Sequence, residues 1–293
     1  MTTFALLLIT GLALGALYFL IAAGLSLIWG LMRVLNFAHG AFFTVGAYAG
    51  WTAAGAMPTA PFGVRWTIAI VTAIVVGGVF AALTEVLLIR PLYARHVGQV
   101  LVTVGLALAA IALVQGAFGS DPQHVDVPGR LSSTIAIGGT NVPNTRPFVI
   151  ASALVVYLLL LFFLRRTRFG LIVRAGVENR AMVQALGIDV QRAFTLVFAL
   201  GGAAAGLAGM LAGTYYGTID PGRGTSMLIF AFIVVIIGGL GSVTGSAIAA
   251  IVVGVLQQFL NYYGATGVGD FSVVLLLAVV LLIRPSGFAG AAT

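Results

Sequence analysis

The chain has neither cysteine nor lysine among its 293 residues. Without cysteine it can form no disulfide, thiolate metal site or thiol nucleophile. Without lysine it can build neither a Walker-type phosphate loop nor a Schiff base. Charge of either sign is scarce, at 7% of residues, with only seven acids. What fills the chain is apolar: 61% of residues are hydrophobic and the mean hydropathy is +1.15. Apolar runs of about 20 residues recur, each long enough to cross a bilayer, which marks a polytopic all-α membrane protein. The shorter polar–apolar alternation of a β-barrel is not seen. The net charge of +7 is carried by arginine. In a membrane chain that charge is read as topology, so no nucleic-acid partner is expected. Met1-Thr2-Thr3 lacks a basic lead and the first apolar run outlasts a signal core, so no cleavable signal is expected.

Taken in order, apolar spans are expected at about 4–29, 41–57, 66–89, 99–118, 148–164 and 193–217. The block 227–259 is too long for one ordinary span. Its glycine run, Gly238-Gly239-Leu240-Gly241-Ser242-Val243-Thr244-Gly245, divides it into two helices, or into a span and a re-entrant element. A short last span covers 271–283. Gly11 and Gly15, and the series Gly202, Gly206, Gly209 and Gly213, have the small-residue spacing of closely packed membrane helices. The longest polar connection, 119–147, alternates around Ser132 to Ile137 and suggests a small hairpin.

The expected architecture is therefore about nine transmembrane helices, within eight to ten, in a single domain over 1–293. With the N-terminus outside and the C-terminus cytoplasmic, inner loops hold ten arginines: Arg33, Arg90, Arg95, Arg165, Arg166, Arg168, Arg174, Arg180, Arg192 and Arg284. Outer loops hold Arg65, Arg130, Arg146 and Arg223. That bias satisfies the positive-inside rule and places the loop 165–192 in the cytoplasm.

Within that loop, Arg165, Arg166 and Arg168 suit an anchor at the anionic lipid surface. A short helix is expected from Glu178 to Leu186, with Met182, Ala185 and Leu186 forming an apolar stripe. Glu178 would complement its start and Gly187 its end. The helix either lies on the membrane or docks into a groove on a soluble partner. Elsewhere, Glu85 near a span end can pair with Arg90 one turn on, a structural use; alternatively it serves ion coupling. Asn36 can cap a helix start beside His39, and both are candidates for a solute path. No Ser/His/Asp set, metal-ligand spacing or paired carboxylates falls within the spans, so an enzyme is not expected, nor a cofactor or metal.

Four stretches together carry a resemblance. They are Gly15–Gly24 through Asn36-Phe37-Ala38-His39-Gly40; Glu85 with Arg90-Pro91; Arg174-Ala175 through Glu178-Asn179 to Ala185-Leu186-Gly187-Ile188; and Gly238-Gly239-Leu240-Gly241-Ser242 with Arg284-Pro285-Ser286-Gly287. In order and spacing the chain resembles the permeases of branched-chain amino-acid ABC importers, of the LivH/LivM type and nearer to LivH. The resemblance implies a plasma-membrane transport subunit without chemistry of its own. Its implied partners are two cytoplasmic ATP-binding subunits, a second permease and a periplasmic or surface-anchored substrate-binding protein. The ATPase-coupling residues it implies are Arg174, Glu178, Asn179, Arg180, Met182, Ala185, Leu186, Gly187 and Ile188. One departure stands: the coupling motif of many importers has two alanines after the glutamate and a glycine six residues on. Here Asn179 and Arg180 follow Glu178, and Gly187 comes nine residues later. The alternative function is an autonomous ion-coupled transporter of a small polar solute.

Overall fold

The computed structural model describes residues 2–127, 129–137, 139–185, 187, 189–265 and 267–289. The chain opens with a 31-residue helix, α1 (Thr2–Met32), followed by α2 (His39–Gly55) and α3 (Phe62–Thr84). A π turn (Glu85–Ile89) and a 3-10 turn (Arg90–Leu92) prolong α3 before α4 (His96–Phe118). The polar connection holds β1 (Gln123–His124), α5 (Gly129–Ser132), β2 (Thr134–Ile137) and β3 (Thr140–Pro143). β2 and β3 form the expected antiparallel hairpin. Then come α6 (Thr145–Arg166), α7 (Arg168–Ala185), α8 (Val190–Tyr216) and β4 (Thr218–Ile219), which pairs with β1. The chain continues with α9 (Arg223–Gly238), α10 (Val243–Tyr263) and α11 (Val268–Ile283).

Among the described residues, six helices are long and apolar enough to cross a membrane: α1, α3 with its extension, α4, α6, α8 and α10; α9 and α11 are apolar but shorter. The glycine run resolves as a turn between two helices. Gly239 and Gly241 take φ of 96° and 88°, which disfavour any side chain, and Ser242 Oγ accepts a bond from Gly245 N at 3.0 Å to start α10.

Bilayer lipid is as apolar as these side chains, so helices associate through close backbone packing. The small-residue series supply it. A Cβ on Gly11 would lie 2.8 Å from Val255 Cα, and one on Gly15 2.5 Å from Ala250 O, which seats α1 against α10. A Cβ on Gly77 would lie 2.5 Å from Gly202 O, which seats α3 against α8. α1 and α8, the most enclosed helices, cross at Gly24 and Gly201. These pairings repeat: α1 packs on α10 as α8 packs on α3, α2 lies against α3 and α8, and α9 lies against α10 and α1. The chain is thus an internal repeat, α1–α4 against α8–α11, a common plan in transporters.

Candidate functional site

In each half a long central helix stops, six residues break it, and a shorter helix follows: 33–38 between α1 and α2, and 217–222 between α8 and α9. Arg33 turns the first break with φ of 53°, the one non-glycine residue with positive φ among the described residues. The chain then doubles back along α1. His39 Nε2 lies 3.1 Å from Ile21 O, eleven residues before Met32 and so about 16 Å up the helix. His39 therefore sits against the middle of α1, not near the inner end of a span as its sequence position suggests, because the chain folds back before α2 begins.

Asn36 does not cap α2 as expected: Ala38 holds the N-cap position without a side-chain cap bond, and Asn36 forms a turn ahead of the helix. Its Oδ1 accepts from Ala38 N at 3.1 Å, and its backbone O accepts from His39 N at 3.3 Å. Both side chains are fully buried, yet Asn36 Nδ2 and His39 Nδ1 have no hydrogen-bond partner among the described residues. Buried polar atoms are normally paired, so one orphan in the break and another at the first residue of α2 are unusual. Irregular backbone at membrane depth is tolerated where protein or a polar path encloses it.

The second break was not recognised from sequence, although its signal was there: Asn36-x-x-His39-Gly40 is matched by Asp220-x-x-Arg223-Gly224. Arg223 Nε bonds Asp220 Oδ2 at 2.8 Å, and its guanidinium lies 4.3 Å from the Tyr216 ring centroid. Thr44 Oγ1 donates to Pro221 O at 3.4 Å. The two short helices meet at their first turns, where a Cβ on Gly40 would lie 2.6 Å from Gly224 O.

A second cluster closes the end of α3. The Glu85 carboxylate is fully buried and accepts from Arg90 Nη2 at 3.0 Å, Arg90 Nε at 3.3 Å and Thr195 Oγ1 at 2.6 Å. The Tyr93 hydroxyl also donates to Glu85. Burial first, then that bond, push the Tyr93 phenol well above the ordinary tyrosine range, which keeps it a donor. The Glu85–Arg90 pair suggested by spacing is present. Thr195 and Tyr93 were not legible, because neither lies at helical spacing from Glu85 on a shared helix.

α7 packs against α6, α8 and α1. It is longer than the expected 178–186 and starts at Arg168, since Thr167 Oγ1 accepts from Gly170 N at 3.0 Å and caps it. Glu178 accordingly falls in the second half of the helix, not at its start. Arg174, Glu178, Asn179, Arg180, Met182 and Ala185 all lie on α7, while Leu186 and Ile188 lie outside the described residues. Gly187, at φ of 76°, has the left-handed turn expected of a helix stop. Val173, Gly176 and Val183 are buried against the bundle, where a Cβ on Gly176 would approach Leu31. Arg174, Met182 and Ala185 are exposed, Met182 at 63%. Arg165 and Arg166 end α6 and complement its dipole.

At the opposite end of the bundle, a cleft of about 520 Å³ opens between α2 and α3, lined in part by Trp51, Arg65, Trp66, His124 and Asp126. Among the described residues no group of three or more His, Cys, Asp or Glu side chains could hold a metal.

Residues 7–284 match the family model described as branched-chain amino acid transport system / permease component. The chain is 28% identical over 289 residues to the high-affinity branched-chain amino acid transport system permease protein LivH of Escherichia coli (strain K12), covering 96% of this chain and 93% of that one. It is 30% identical to the corresponding protein BraD of Pseudomonas aeruginosa, over 97% and 94%. It is 29% identical to the probable branched-chain amino acid transport permease protein LivH of Methanocaldococcus jannaschii, over 92% and 88%. No solved structure matches the chain.

Proposed function

Because the chain belongs to the branched-chain amino acid transport permease family, we propose that it is the membrane subunit of an ABC importer. It moves branched-chain or related amino acids into the cytoplasm at the expense of ATP hydrolysed by partner subunits. The protein is a multi-pass plasma-membrane permease. In the proposed topology it crosses the bilayer nine times, with the N-terminus outside and α7 in the cytoplasm.

The observation that carries this reading is α7. One side of that helix is held by the bundle through Val173, Gly176 and Val183, and the other offers Met182 and Ala185 outward. An anchored helix that exposes an apolar and basic face suits docking in the groove of a soluble ATPase. A membrane-surface helix would instead bury that face in lipid. The coupling segment is then Arg174, Glu178, Asn179, Arg180, Met182, Ala185 and Gly187, with Leu186 and Ile188 continuing it. The cleft at the far end admits solute from a substrate-binding protein. Asn36 and His39 line the path beyond, their unpaired nitrogens available to a passing zwitterion.

The alternative, an ion-coupled transporter, needs a buried acid free to exchange its cation. Glu85 is the one fully buried carboxylate among the described residues, and Arg90 already compensates it. Co-purification with ATP-binding subunits, a second permease and a binding protein tests the reading. Solute uptake that continues after the ATP-binding subunits are removed would refute it.

A further inference from the structure

The Glu85 cluster has a position that its pairing alone does not explain. We infer that Thr195 and Tyr93 are positioning residues that lock the inner end of α3 to the first turns of α8, so that α3 follows α7 when a partner displaces it. This rests on the function proposed above and adds the route by which movement of α7 enters the bundle.

The route can be followed bond by bond. After α7 the chain turns at Gly187, and Asp189 caps α8: its Oδ1 accepts from Gln191 N at 3.0 Å and Arg192 N at 3.4 Å. Its Oδ2 also lies 2.9 Å from Arg192 Nε. The elbow is thus short, and α8 is capped at its first turn. Thr195 comes six residues after that cap, about 9 Å along the axis. There Thr195 Oγ1 donates to Glu85 at 2.6 Å and accepts from Arg90 Nη2 at 2.8 Å, so one hydroxyl joins both charged groups. The Tyr93 hydroxyl bonds Glu85 from the far side, while its ring meets Phe194 edge-on at 5.4 Å.

The backbone at this point is built for the purpose. A π turn, Glu85–Ile89, interrupts α3 just where the carboxylate must leave the helix surface. Such turns are uncommon and concentrate at functional positions. Arg90 compensates the buried charge, and each hydroxyl withdrawn from Glu85 would leave a buried acceptor unsatisfied, so the arrangement that keeps every bond is the one in which the cluster moves with α8. From there the contact seam of α3 and α8 leads inward at Gly77 and Gly202. Gly50 then ties α3 to α2, a Cβ on it lying 2.5 Å from Ala69 O. α2 begins at His39. Movement of the docking helix therefore reaches the break that holds Asn36 and His39 through close backbone contacts and one polar lock.

The test uses the complete transporter in vesicles with its binding protein. It measures solute transported and ATP hydrolysed for wild type, Thr195→Val, Thr195→Ser and Tyr93→Phe. Valine keeps the shape and removes the hydroxyl; serine keeps the hydroxyl. The expected result is a roughly ten-fold fall in solute moved per ATP for Thr195→Val, the worth of about 1.4 kcal/mol. Tyr93→Phe should fall in the same direction, and Thr195→Ser should stay near wild type. A wild-type ratio for Thr195→Val overturns the inference. So does an equal loss in Thr195→Ser, or loss of assembly in Thr195→Val, either of which makes the residue merely structural. Arg180→Glu on α7, measured in parallel, separates the two levels. If it transports normally the docking reading fails; if it uncouples while Thr195→Val does not, the lock alone fails.

Discussion

Gly77→Ala tests how this bundle is held together. The new Cβ would lie 2.5 Å from Gly202 O, 3.0 Å from Gly206 Cα and 3.2 Å from Gly206 N. All three are backbone atoms of α8, so no side chain can swing away. Restoring an ordinary contact of 3.4 Å to the carbonyl requires a shift of 3.4 − 2.5, or about 0.9 Å, between the two helices. Overpacking of this kind costs about 1–3 kcal/mol. Alanine also returns about 1 kcal/mol of helix propensity, which would mask part of the loss. Gly105→Ala in α4 supplies the control, because nothing lies within 4 Å of its Cβ. The difference between the two variants isolates the seam, at about 1–3 kcal/mol in favour of Gly105→Ala. Thermal unfolding of both proteins in detergent measures it. Equal stabilities would refute the claim that backbone contact between α3 and α8 holds the bundle.

Arg180→Glu and Ala185→Asp should leave membrane insertion normal but uncouple ATP hydrolysis from uptake, read as ATP consumed per solute in vesicles; wild-type coupling in both makes the loop only an anchor. Asn36→Ala should slow uptake about ten-fold, the worth of one hydrogen bond, without changing substrate affinity of the binding protein; unchanged flux removes Asn36 from the path. Glu85→Ala should destabilise the detergent-solubilised protein by roughly 2 kcal/mol, since it strips Arg90 and Tyr93 of their shared acceptor; an unfolding curve like wild type would contradict that. Uptake should persist when a protonophore collapses the proton gradient, provided ATP is supplied, whereas loss of uptake with ATP still present favours the ion-coupled alternative.

Much of the architecture follows from composition and spacing alone. Apolar runs long enough for a bilayer, interrupted by proline, glycine and arginine, leave helices as the available structure, because hydrocarbon cannot satisfy a bare backbone. The GxxxG series in α8 likewise announced close contact, since glycine spacing on one face has that physical use. Capping chemistry marked Gly187 for the same local reason. The length of α7 was misread because Thr167 serves two helices, ending α6 and starting α7, and the charged residues after it obscured the second start.

What the sequence could not decide is which breaks and charges meet. His39 reads as a residue near the inner end of a span, and only the folding back of the chain along α1 sets it beside Ile21, a matter of tertiary packing and not of any local signal. Asp220 to Gly224 read as an outer loop, and their likeness to Asn36 to Gly40 gains meaning only once Gly40 and Gly224 are in contact. Glu85 named its near partner, Arg90, because the two are close along the chain, although it is the π turn over Glu85–Ile89 that brings positions five apart onto one face. It could not name Thr195, 110 positions away, since that bond exists only where α3 and α8 pack. The sequence by itself determined a helical membrane protein, its charge bias and its small-residue seams, all local or compositional. Tertiary structure decided the half-buried repeat, the depth of the breaks and the lock at the end of α3, because each depends on distances between segments that no spacing along the chain encodes.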